Sequence, residues 1–115
     1  MAFCDHFVKG SIMKILAMDT ILPGGTLEEI HPYLMEEAAA AWTHYTDGIV
    51  REIYFRLDRP GTNMFLECES VEQAMKMTDG LPLVREGLIR FELIPLGPFP
   101  PFAELFEHEE TRGQA

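Results

Sequence analysis

Glu67, Tyr54 and Arg56 bring a carboxylate, a phenol and a guanidinium into one stretch, DGIVREIYFRLDRPGTNMFLECES. That set suits proton transfer. A carboxylate among aromatic groups is partly desolvated, and its pKa rises toward the range of a general acid or base. A phenol can hold a developing oxyanion, and a guanidinium can grip a carboxylate through two parallel hydrogen bonds. Asn63 and Phe65 alternate with Glu67 along the same run, adding a polar group and an aromatic wall. The plainer account of Glu67 is an ion pair with Arg56.

A second set lies upstream. Glu37 and His44 are seven residues apart, so they share one side of a helix. There they could form an acid–base pair or metal ligands, although a solvated helix flank is the commoner use of such a pair. Trp42 is expected in the core; at a helix–sheet junction it could floor a pocket. Arg51, by strand parity, falls on the helix side near the end of the sheet. His31, just before Pro32, reads as a surface turn. No Gly-rich phosphate loop, nucleophile elbow, CxxC or HExxH is present, so a metal or nucleotide cofactor is not expected.

The elements that must position these groups follow from periodicity and punctuation. IMKILAMD, residues 12–19, alternates as a strand. Thr26 with Glu29 has the spacing of a capping box, and Pro32 interrupts the helix that it opens. The main helix then runs to Thr46 with an apolar stripe of Leu34, Ala38, Ala41, Trp42 and Tyr45, and Gly48 closes it. Strands are expected over 49–58 and 62–69. Ser70 with Gln73 opens a second helix to Asp79, Leu81-Pro82-Leu83-Val84 connects, and LIRFELIPL, 88–96, is the last strand. The GPFPPFAELF segment is apolar enough to pack down. The order is βαββαβ, an α+β ferredoxin-like arrangement with a four-stranded antiparallel sheet and two helices on one face.

Reading Pro60-Gly61 as a two-residue turn sets the hairpin register. Leu57 then faces Met64, Phe55 faces Leu66 and Ile53 faces Cys68, all toward the helices. The other side pairs Asp58 with Asn63, Arg56 with Phe65, Tyr54 with Glu67 and Glu52 with Glu69. So mixed a face, open to water in a monomer, implies a second copy packed sheet against sheet to enclose a small-molecule pocket.

Composition bounds the reading. At 115 residues the chain makes one domain, expected over 12–106, between a flexible N-terminal extension (1–11) and a flexible C-terminal tail (107–115). Nine Lys and Arg against nineteen Asp and Glu give a net charge of −10, which argues against a nucleic-acid or anionic-membrane partner. Cys4 and Cys68 have no metal-like spacing, which fits a reducing cytoplasm. No apolar run reaches the length of a bilayer span, and MAFCDHFVKGS lacks a signal peptide's apolar block.

The blocks EEAAAAWTHYTDGIVR, ECESVEQAM and GLPLVREGLIRFELIPLGPFP resemble the muconolactone isomerase-like branch of the dimeric α+β barrel proteins. The resemblance covers roughly residues 13–106. It implies a homodimer, no cofactor, and a double-bond shift in an unsaturated lactone by proton transfer. It places Glu37 at the family's helix carboxylate and Arg51 at an arginine early in the second strand. Ala38 stands where that family has a Lys. The expected function is therefore a cofactor-independent isomerase, with Glu67 moving the proton, Tyr54 stabilising the oxyanion, and Arg56 holding a substrate carboxylate. The alternatives are a cofactor-free quinol-type monooxygenase and a non-enzymatic ligand-binding or scaffold dimer.

Overall fold

A computed structural model describes residues 12–114, with side chains as far as residue 107. The expected extension at 1–11, with Cys4, lies outside the described residues. The elements are β1 (Met13–Ile21), α1 (Leu27–Ile30), a 3₁₀ turn (His31–Tyr33) and α2 (Leu34–Thr46), then β2 (Val50–Phe55) and β3 (Thr62–Cys68). They continue with α3 (Val71–Asp79), α4 (Pro82–Arg85), β4 (Ile89–Leu96) and α5 (Pro100–Gln114). All strand pairs are antiparallel, in the order β2-β3-β1-β4. The fold is α+β with an open four-stranded sheet, compatible with a ferredoxin-like arrangement.

Local chemistry explains most of the boundaries. The Glu29 N–H donates to Thr26 Oγ1 at 3.1 Å, and the Gln73 N–H donates to Ser70 Oγ at 3.1 Å, so both caps form as their spacing requires. Gln73 Oε1 turns back to accept the Glu69 N–H at 2.6 Å. Helix α3 buries Ala74, Met77 and Thr78, one stripe at helical spacing. Gly48, at φ 92°, takes the left-handed conformation that ends α2. Pro95 is tolerated because β4 is an edge strand. Leu81–Val84, expected as a connector, instead contributes most of the short helix α4.

The core lies between the sheet and α3. Ile15, Ala17, Met64 and Leu66 are fully buried and directly cross-paired, joined by Val50, Ala74 and Leu81. The larger of these, Ile15, Val50, Met64, Leu66 and Leu81, contribute about 1.5–3 kcal/mol each by leaving water. Helix α2 buries none of its residues. Its small alanines face the sheet edge without filling the gap to β2, and Trp42, expected in the core, is 63% exposed.

The hairpin departs from the expected register. The Arg56 N–H donates to the Gly61 carbonyl at 2.9 Å, so residues 57–60 form a wider loop in place of a two-residue turn. Ile53 then faces Met64, Tyr54 faces Asn63, and Phe55 faces Thr62. A bulge between Val50 and Glu52 makes Arg51 an extra residue. From Glu52 to Phe55 the shift is even, so those residues keep their faces while every expected cross-strand pair changes; before the bulge, Val50 turns to the helix side.

The C-terminal segment also differs. Helix α5 continues to Gln114, where a tail from 107 was expected. Phe99, Phe102, Leu105 and Phe106 are exposed and do not pack down. Pro100 and Pro101 sit in the first turn, where a missing N–H costs nothing. Among the described residues, no helix is long and apolar enough to cross a membrane.

Candidate functional site

The gap between α2 and the sheet is a cleft of about 280 Å³ on the helix face. Leu34, Ile53, Phe55, Met64, Leu81 and Phe91 supply apolar wall; Asp19 and Glu37 supply the charge. It is continuous through Ala38, Ala41, Ile53 and Tyr54 with a shallower groove of about 540 Å³ along the β2 edge, bordered by Trp42, Tyr45 and Arg51. An apolar cleft with a few convergent polar groups is the usual form of a small-molecule site.

Asp19 reaches the cleft by strand parity. It follows Ile15 and Ala17 on the helix face of β1 and lies opposite Phe91. The residue is only 6% exposed, and its Oδ1 is buried without a hydrogen-bond partner. Burial pushes the carboxyl above its ordinary value. A backbone hydrogen bond from Thr62 opposes the shift, and the charges of Arg59 and Arg56 oppose it further. Gly61 lies against this oxygen: a Cβ there would stand 2.8 Å from Asp19 Oδ1.

Glu37 approaches from α2. The Leu83 N–H donates to Glu37 Oε1 at 3.0 Å. Leu83 is in the first turn of α4, where backbone N–H groups lack intrahelical partners, so Glu37 caps that helix from outside. Its carboxyl is also raised, first by burial and then by the charge of Asp19, with the Leu83 amide and Arg85 opposing. The charge of Asp19 therefore reaches Glu37 within one desolvated cleft. Such a pair can divide the roles of proton acceptor and proton donor.

The other expected residues are distributed elsewhere. Asn63, Phe65 and Glu67 stand on the open face of the sheet, away from the helices. Glu67 faces Lys14 and lies 3.9 Å from Arg51 Nε. Arg51 was expected on the helix side; the bulge carries it to the sheet edge, within reach of Glu67. Arg56 donates to Asp58 at 2.9 and 2.6 Å, so the expected pairing of Arg56 with Glu67 is replaced. The Tyr54 hydroxyl donates to Glu52 Oε1 at 2.7 Å rather than meeting Glu67. Asn63 Oδ1 is buried without a hydrogen-bond partner. His44 is turned to Asp47, with Nδ1 3.6 Å from its carboxylate, and does not join Glu37 in the cleft.

Asp19 was not among the residues read as chemical. The signal was present in the alternation Ile15, Ala17, Asp19, which puts a carboxylate on an apolar face. Among the described residues, no three His, Cys, Asp or Glu side chains gather as metal ligands. No protein-family model matches the chain, and no curated protein gives a significant match.

Proposed function

We propose that the protein is a cofactor-independent isomerase of the muconolactone isomerase-like kind, acting on a small unsaturated lactone or related carbonyl compound. Asp19 is the general base and Glu37 the partner acid. The observation that carries this reading is a carboxylate only 6% exposed, with one oxygen unpartnered, at the wall of a cleft holding a second carboxyl of raised pKa. Asp19 takes a proton from the carbon between the carbonyl and the alkene. The C–H electron pair moves toward the carbonyl oxygen, which receives a hydrogen bond from protonated Glu37. Asp19 then returns the proton to the far alkene carbon, leaving the double bond conjugated. No atom or electron is gained or lost.

In the same reading the chain is a cytoplasmic ferredoxin-like protomer of a homodimer. The apolar groups Leu16, Met18, Phe65 and Ile94, half-buried on the open sheet face, support a second copy there. Tyr54, Trp42 and Arg51 border the approach to the cleft. The test is isomerisation of α-angelica lactone to its conjugated β isomer, followed by ultraviolet absorbance. The wild-type chain should accelerate it, and Asp19→Asn should lower the rate by about 10²–10⁴, the usual contribution of a general base. An unchanged rate in that variant would remove Asp19 from the mechanism.

A further inference from the structure

Two apolar surfaces of the chain lie open, and their shapes are complementary. The first is a stripe on α5. Phe99, Phe102, Leu105 and Phe106 recur at helical spacing, and all four are more than half exposed. The Phe102 N–H donates to the Phe99 carbonyl at 3.1 Å, and the two rings meet edge to face at 5.0 Å. The stripe therefore begins as a preformed aromatic block. By the same spacing Glu104 and Glu107 fall on the opposite side of the helix.

The second is the groove along the β2 edge. Ala38 and Ala41 are too small to fill it, and Trp42 and Tyr45, with ring centroids 5.4 Å apart, give it an aromatic border. A copy's own α5 is badly placed to enter. It follows β4, whereas the groove borders β2, and these are opposite edges of the sheet. Three strand spacings, about 14 Å, lie between them. A membrane is a poor counterpart for the stripe, because residues 100–110 hold four Glu and no Lys or Arg.

We propose that a second copy supplies the missing contact, each α5 laying its stripe in the β2-edge groove of the other. Such an exchange is two-fold and closed: stripe meets groove twice, and neither surface is left over. Aromatic side chains present about 150–250 Å² each, so the exposed fractions amount to roughly 300–500 Å² per stripe. Two stripes seated in two grooves bury about 1,200–2,000 Å² in all, the size of a specific interface. The groove is continuous with the inner cleft, so the partner's helix becomes part of the cleft's outer wall. The exchange uses other residues than the sheet-face pairing and stands without the reaction.

Trp42 is the chain's one tryptophan and borders the groove, so its fluorescence reports the contact. The full-length chain would be held at about 100 μM, above the micromolar dissociation constants of the weakest interfaces of this size. There acrylamide should quench the wild type at least about twofold less than Phe102→Asp/Phe106→Asp, because a seated stripe keeps solvent from Trp42. Both substituted positions are exposed in the single chain, so the variant should keep its fold. A cross-link then identifies whose helix is seated. Phe106→Cys chains mixed with Ala41→Cys chains, both in a Cys4→Ser background, should be joined by bismaleimidoethane, and Phe102→Asp in the first chain should remove most of the product. Protection of Trp42 together with that cross-link supports the exchange, whatever the lactone assay shows. Equal quenching of wild type and variant would overturn it. So would protection without a cross-link between chains, which assigns the groove to each copy's own α5, or a cross-link undiminished by Phe102→Asp.

Discussion

Asp58 and Asp19 start from the same ordinary pKa of 3.8 and move in opposite directions. Asp58, at the exposed hairpin end, is clasped by Arg56 and pulled down to about 2. Asp19, on the helix face, is pushed up by burial. The contrast extends to their surroundings. Toward water, Glu67 has Arg51 at 3.9 Å and Tyr54 donates to Glu52. In the cleft, Asp19 and Glu37 each receive a backbone hydrogen bond, and no cation stands in the wall. Charged groups left with solvent and partners have little chemical work available to them. A carboxyl held away from water keeps its proton to higher pH than an exposed one, and groups perturbed in this way cluster at working sites.

The largest effect that could break this comparison is on rate. Asp19→Asn should reduce lactone isomerisation by about 10²–10⁴, whereas Glu67→Gln should leave it almost unchanged. Equal losses in the two variants would mean that the faces are not chemically distinct.

A smaller effect concerns Gly61. In Gly61→Ala the new Cβ would meet Asp19 Oδ1 at 2.8 Å, and the overpacking should cost about 1–3 kcal/mol in urea unfolding. Made in an Asp19→Ala background, the same change should cost less, and the difference measures the contact.

The third concerns pH. Both cleft carboxyls are raised from ordinary values of 3.8 and 4.5, so the folded chain holds protons that the unfolded chain releases. Their contribution to stability is fully present below those ordinary values and is lost as pH rises through the raised ones. Urea midpoints measured across that window should fall with rising pH, and Asp19→Asn should flatten the decline. The contribution of Asp58 has the opposite sign.

The smallest effect sharpens the comparison from the solvent side. Arg56→Gln should let Asp58 titrate back toward 3.8 by NMR and leave the urea midpoint nearly unmoved, because exposed ion pairs contribute little.

What could be read from the sequence was what local chemistry decides. Thr26 and Ser70 cap as their spacing requires, whereas the alternation in β1 and β4 marks two faces without saying which of them is buried. The pairing of β2 with β3 depended on the loop: Pro60-Gly61 suggested a tight turn, whereas the chain closes through Arg56 and Gly61. The Arg51 bulge leaves no local mark, so parity carried that residue to the wrong side. Glu37 was singled out by its spacing from His44 and by resemblance, but the structure turns His44 to Asp47 and gives Glu37 the Leu83 amide, a partner 46 residues away that no local spacing marks. Asp19 was passed over because charge is written in the sequence and burial is not. Trp42 shows the limit from the other direction: a helical stripe gives the direction of a side chain, not whether the helix closes onto the sheet.

The extra residue in β2 bears on how this chain can change length. Val50 points toward the helices, Glu52 away and Ile53 back again, so the halves on either side of Arg51 are already in phase. Losing the codon for Arg51 would join them into a regular ladder with inside and outside intact. Losing the codon for Ile53 would turn Tyr54 inward and Phe55 outward and exchange the surfaces of the strand. Within one six-residue strand, tolerance to an inherited deletion therefore differs between positions two residues apart.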